Sequence, residues 1–80
     1  PPCRFEKVQR DDGVTVILDV AHNPPAMEYL AQKLKATYPD SNFRFVTGMS
    51  SDKDLAVCGR ILLSMAEPSQ IHLVEAAHPR

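Results

Sequence analysis

The chain has 80 residues, 44% hydrophobic and 24% charged, enough for one small domain and too apolar for an intrinsically disordered segment. Lys and Arg number 9 against 10 Asp and Glu, for a formal charge of −1. This balance removes the electrostatic footprint of a general nucleic-acid binder and of a polybasic membrane-surface domain. The apolar runs are far shorter than a bilayer span. The two cysteines, Cys3 and Cys58, are too few for a disulfide framework, so free thiols in a reducing compartment are expected. The sequence opens on Pro1-Pro2 and stops at Pro79-Arg80. Both ends are expected to be cuts through a longer protein, with any targeting segment outside the part given.

In chain order, Phe5 to Gln9 reads as a short, moderately polar strand. Asp11-Asp12-Gly13 is a turn, with Gly available for positive φ. Val14-Thr15-Val16-Ile17-Leu18 is apolar on both faces, which predicts a central strand covered on both sides. Asn23-Pro24-Pro25 opens a helix, Asn as N-cap and Pro in the first turn. Met27, Leu30, Ala31 and Leu34 form its apolar stripe, and Pro39 closes it. Phe43 to Thr47 is a second buried-type strand and Gly48 to Ser51 a loop. Ser51 is placed to cap the next helix, with Asp54 at the reciprocal capping-box position. Leu55, Cys58, Leu62 and Met65 give that helix its stripe. Pro68 ends it, and Ile71 to Val74 is a last strand.

The order β-β-α-β-α-β predicts an α/β fold with a mostly parallel, Rossmann-like sheet built by right-handed crossovers. The first strand is free to pair antiparallel at an edge, because a tight turn joins it to the second. The domain is expected to be incomplete, with Val16, Leu30, Leu34 and Leu62 in its core. Ligands of such sheets sit outside the carboxyl ends of the strands. The loops 19–25, 48–54 and 75–80 should reach that edge, bringing Asp19, His22 and Lys53 together.

The segment Asp19-Val20-Ala21-His22-Asn23-Pro24 sets a carboxylate, an imidazole and an amide between a strand end and a helix N-terminus. Asp19 suits two ribose hydroxyls, and His22 suits a phosphate or carboxylate. On spacing alone a plainer reading stands beside this: Asn23 caps the helix and His22 bonds its own loop. The segment Gly48-Met49-Ser50-Ser51-Asp52-Lys53-Asp54 lacks the Gly before Lys that a phosphate loop requires. Lys53 is either a surface charge between two acids or a point charge aimed at an anion. The histidines His22, His72 and His78 have no metal-ligand spacing, and no Cys-x-x-Cys exists, so no metal site is expected. His72, in an apolar strand, reads as structural. Cys58 lies on an apolar stripe, which argues against a Cys–His nucleophile.

Asp19 to Pro24, after the strand Val16-Ile17-Leu18, resembles the Asp-Gly-Ala-His-Asn-Pro signature of folylpolyglutamate and dihydrofolate synthases, in the Mur ligase superfamily. Cys3-Arg4-Phe5-Glu6 resembles the Gly-Arg-x-Glu segment that opens their C-terminal domain. Gly48 to Asp54 resembles their Gly-x-x-x-Asp-Lys-Asp loop, and His78-Pro79-Arg80 the Pro-Arg after a later strand. Cys3 and Val20 each replace a Gly; Val20 implies negative φ at its position.

The resemblance implies an ATP-dependent amide ligase that adds glutamate to folate. A carboxylate is activated as an acyl phosphate, then attacked by the amino group of glutamate. Residues 1–80 would be the N-terminal part of the C-terminal, glutamate ligase domain. The central ATP-binding domain, with the phosphate loop and most Mg2+ ligands, would lie outside this chain and pack against it. Arg4 would contact ATP phosphates and Asp19 the ribose. His22, as the catalytic candidate, with Asn23 and Lys53 as substrate-binding residues, would face the glutamate and the transferring group. A cytoplasmic enzyme is implied, with a mitochondrial one as the variant. The isolated segment is expected to lack ligase activity. Two other readings are a Mur-type ligase adding an amino acid to a cell-wall precursor and a non-catalytic α/β binding module.

Overall fold

The computed structural model describes residues 4–48 and 52–74. Strand β1 (Glu6–Gln9) pairs antiparallel with β2 (Thr15–Leu18), Glu6 opposite Leu18 and Gln9 opposite Thr15. The turn between them forms where the sequence places it. Gly13 takes φ 83°, a region that favours glycine. Asp12 Oδ1 accepts the Val14 N–H at 3.1 Å, and Asp12 Oδ2 meets Arg10 at 2.7 Å.

Helix α1 (Pro24–Thr37) starts at Asn23, which is extended at φ −139° and ψ 163°. The Asn23 Oδ1 accepts the Ala26 N–H at 3.0 Å, satisfying a donor that the first turn cannot pair internally. Pro24 and Pro25 cost nothing there, since first-turn N–H groups have no intrahelical acceptor. The helix buries Met27, Ala31 and Leu34, with Leu30 half-buried. At its far end the Tyr38 N–H reaches the Leu34 carbonyl at 2.8 Å; Pro39 cannot continue the ladder.

Strand β3 (Phe45–Thr47) pairs in parallel with β4 (Ile71–Leu73), Phe45 opposite Ile71 and Thr47 opposite Leu73. Helix α2 (Asp52–Leu63) joins them. A short 3-10 turn over Pro68–Gln70 leads into β4, with Gln70 Oε1 accepting the Glu67 N–H at 3.0 Å. Arg44 Nη1 lies 2.6 Å from His72 Nε2. Guanidinium nitrogens only donate, so His72 Nε2 accepts; His72 is exposed, and this bond ties β4 to the residue before β3. The helices pack on each other through Met27, Cys58 and Leu62, flanked by Ala21, Leu30, Phe45, Ile61 and Ile71.

The α/β class and the element order match expectation, but a single mostly parallel sheet does not form among the described residues. There are two two-stranded sheets, β1-β2 antiparallel and β3-β4 parallel. Neighbouring strands must approach to about 4.8 Å to share hydrogen bonds. Here β2 and β3 instead flank a cavity of about 410 Å³ lined by Thr15, Ile17, Leu34, Tyr38, Phe43 and Phe45. The Phe43 and Phe45 rings stack at 6.1 Å inside that lining. The expectation that β2 is covered on both faces also fails. Val16 and Ile17 are half-buried, while Val14 and Leu18 are exposed. Leu34 and Leu62 are core residues; Val16 and Leu30 are only partly so.

Candidate functional site

The turn from β2 into α1 carries the candidate residues Asp19, His22 and Asn23. A pocket of about 390 Å³ opens against it, lined by Arg4, Phe5, Asp19, Val20, Ala21, His22, Ala26, Tyr29, Leu30 and Lys33. Three residues singled out from the sequence, Arg4, Asp19 and His22, thus share one wall. Asn23 sits at the next position, where its Oδ1 is committed to the cap and its Nδ2 amide remains as a donor. Lys53 falls in the first turn of α2, but its side chain lies outside the described residues. So do Cys3, the capping candidate Ser51, and the loop residues 75–80, His78 among them.

Asp19 already has work within the chain. Its Oδ2 accepts the Phe5 N–H at 2.9 Å and its Oδ1 the Ala21 N–H at 2.8 Å. The carboxylate therefore clasps the chain entering β1 to the chain leaving β2. Phe5 is held at φ 50°, a left-handed conformation that costs a non-glycine residue about 1–2 kcal/mol; the hydrogen bond to Asp19 offsets part of this. Each carboxylate oxygen keeps a second lone pair, so Asp19 can still accept from a ligand hydroxyl. Among the described residues Phe5 is the non-glycine residue with positive φ, so Val20 holds negative φ, as its replacement of Gly implied.

His22 Nδ1 lies 2.9 Å from the Val20 carbonyl. A carbonyl only accepts, so Nδ1 is the donor here, and Nε2 is the ring atom left for a ligand. The plainer reading of this turn is therefore real: Asn23 caps and His22 bonds its own loop. It leaves one working atom on each.

The electrostatics of the pocket favour an anion. Arg4 and Lys33 are cations, and the facing carboxylate, Asp19, is engaged by two N–H groups. Lys33 Nζ rests 4.3 Å from the centre of the Phe5 ring, within cation–π range. Sequence reasoning missed Lys33 and the ring under it. Lys33 follows Tyr29 by one helical turn, and both line the pocket; nothing local says that this flank meets Phe5. Among the described residues, no group of three or more His, Cys, Asp or Glu side chains is placed to hold a metal ion.

The family model described as Mur ligase, glutamate ligase domain, matches residues 3–78. The chain belongs to the Mur ligase family, as its glutamate ligase domain. A relative in Escherichia coli (strain K12), dihydrofolate synthase/folylpolyglutamate synthase, is 46% identical over 55 residues. That match covers 69% of this chain and 13% of the relative, so the chain spans about an eighth of the length of the relative it matches. No solved structure matches. The glutamate ligase domain thus sets its Asp19-to-Pro24 turn at the mouth of a cationic pocket, and no helix among its described residues is long and apolar enough to cross a membrane.

Proposed function

We propose that this glutamate ligase domain is part of an ATP-dependent ligase that adds glutamate to folate, and that it supplies nucleotide and amino-acid contacts to a site completed by a central domain. The observation that carries the reading is the pocket itself. It brings Arg4, Asp19 and His22 together at the start of α1, where backbone N–H groups and the helix dipole favour negative charge. Arg4 pairs with ATP phosphates, and Asp19 accepts ribose hydroxyls with the lone pairs its clasp leaves over. His22 Nε2 and the Asn23 amide face the glutamate and the transferring group, with Lys53 on the neighbouring helix as the counter-charge for a carboxylate. Mg2+ belongs mainly to the central domain; this chain shows no donor set for it among the described residues. ATP supplies the phosphoryl group that activates the acid. The domain's own residues bind and orient.

The name of the Escherichia coli relative favours the folate branch over a ligase acting on a cell-wall precursor. A cytoplasmic enzyme fits this reading. A direct test is calorimetric titration of the full-length ligase and its Arg4→Ala variant with ATP. Arg4→Ala should weaken ATP binding about 10-fold or more, because hydrogen bonds to charged groups are worth about 1.5–3 kcal/mol. If Arg4→Ala binds ATP as the parent does, the nucleotide reading is wrong.

A further inference from the structure

We infer that Lys33 is a second phosphate-binding cation of the nucleotide pocket, held ready on the Phe5 ring. This rests on the reading of that pocket as a nucleotide site and adds a residue to it that neither the motif resemblance nor the family match assigns.

Four observations converge. Lys33 lines the same pocket as Arg4, Asp19 and His22, although it lies beyond the Asp19-to-Pro24 turn by more than two turns of α1. Among the described residues that line the pocket the one carboxylate is Asp19, and it is turned to the N–H groups of Phe5 and Ala21. The Lys33 ammonium is parked instead over the Phe5 face at 4.3 Å. A ring face holds a cation weakly at an exposed site and costs it little hydration, so the lysine can swing to a stronger anionic acceptor. Finally, the Phe5 ring is carried on a tethered backbone. Its backbone is pinned at φ 50° by the Asp19 carboxylate, so the resting place of Lys33 is set by the residue proposed to bind the ribose. The chemistry recognised is a polyphosphate of a nucleotide, bridged by Arg4 from the strand side and by Lys33 from the helix side.

The test compares the full-length ligase with its Lys33→Met, Lys33→Arg and Lys35→Met variants by calorimetric titration with ATP and, separately, with adenosine. Lys35 lies on the same helix but lines a different groove, beside Arg60, so Lys35→Met removes one charge without touching the pocket. Circular dichroism spectra and melting curves that match the parent's establish that each variant folds. Lys33→Met should weaken ATP binding about 1.5- to 5-fold, the range for an exposed charge contact, and leave adenosine binding unchanged. Lys33→Arg should keep ATP binding, and Lys35→Met should match the parent chain. Added salt should narrow the gap between the parent and Lys33→Met. If the parent binds ATP and Lys33→Met binds it equally well, the inference falls while the nucleotide reading stands. Equal weakening by Lys35→Met would assign the effect to the overall field and also overturn it. If Arg4→Ala too binds ATP as the parent does, both the nucleotide reading and this inference fail.

Discussion

Truncating two leucines that the sequence places on the same kind of stripe should give unequal results. Leu62 is 1% exposed and packed in the cluster with Met27 and Cys58. Leu34 is 5% exposed but borders the cavity of about 410 Å³ between β2 and β3. Buried Leu→Ala changes cost about 2–5 kcal/mol, and the spread follows how many contacts vanish and how far the site collapses. Leu62 is enclosed on all sides, so Leu62→Ala should fall near about 4 kcal/mol. Leu34 already lacks partner atoms on its cavity side, so Leu34→Ala should fall near about 2 kcal/mol. At roughly 0.05–0.15 kcal/mol per residue, a domain this size has about 4–12 kcal/mol in all. Leu62→Ala therefore brings the chain close to unfolding, whereas Leu34→Ala leaves a folded majority. Urea unfolding followed by far-ultraviolet circular dichroism reads the difference. With a slope of roughly 1 kcal/mol per molar urea, the two midpoints should lie about 2 M apart. Coincident midpoints, or a lower one for Leu34→Ala, would refute the packing argument.

Asn23→Ala should cost about 1 kcal/mol through the lost cap, with Asn23→Asp close to the parent; equal stability of Asn23→Ala would show that Oδ1 does not hold the helix start. Gly48→Ala would put a Cβ 3.0 Å from the Val74 carbonyl oxygen, forcing β3 and the end of β4 apart. A loss of about 1–3 kcal/mol is expected by thermal unfolding, and an unchanged midpoint would mean that the strands give way freely. Burial, and then the charge of Asp54, push the Cys58 thiol above its usual range. The folded chain then holds that proton more tightly than the unfolded one. This contribution to stability is complete below about pH 8.5, where an unfolded cysteine titrates, and is lost as pH rises through the higher folded value. In a Cys3→Ser background, thiol reagents at pH 8 should modify Cys58 far more slowly than an unfolded thiol; equal rates would contradict the burial. In the full-length ligase, Asp19→Ala should weaken ATP binding roughly 10- to 150-fold if it loses ribose bonds worth about 1.5–3 kcal/mol. Lys53→Ala should raise the KM for glutamate and leave ATP affinity nearly unchanged. Steady-state kinetics with each substrate varied separately distinguish these outcomes, and unchanged constants for Lys53→Ala would make it a surface charge.

The sequence by itself determined the elements and the turn that bears the site. The stripe Met27, Leu30, Ala31 and Leu34 has one spatial solution, a helix with that face inward, and Asn23 with two prolines leaves one place for it to start. Gly13 and the two acids before it made the β1-β2 turn legible, because such turns are decided by neighbours in the chain. The motif from Asp19 to Pro24 named the family for the same reason: its chemistry is contiguous. What the sequence could not supply was any relation between distant segments. That β2 and β3 flank a cavity lined by Phe43 and Phe45 instead of pairing is such a relation. Leu18 reads as buried but is exposed, since alternation tells which residues share a face and not what covers it. Tertiary structure alone decided that Asp19 clasps the Phe5 backbone, 14 residues away, and that Lys33 comes to rest on that ring. Local propensity acts over a few residues, whereas a pocket forms from whichever side chains the packing of strand against helix brings within reach.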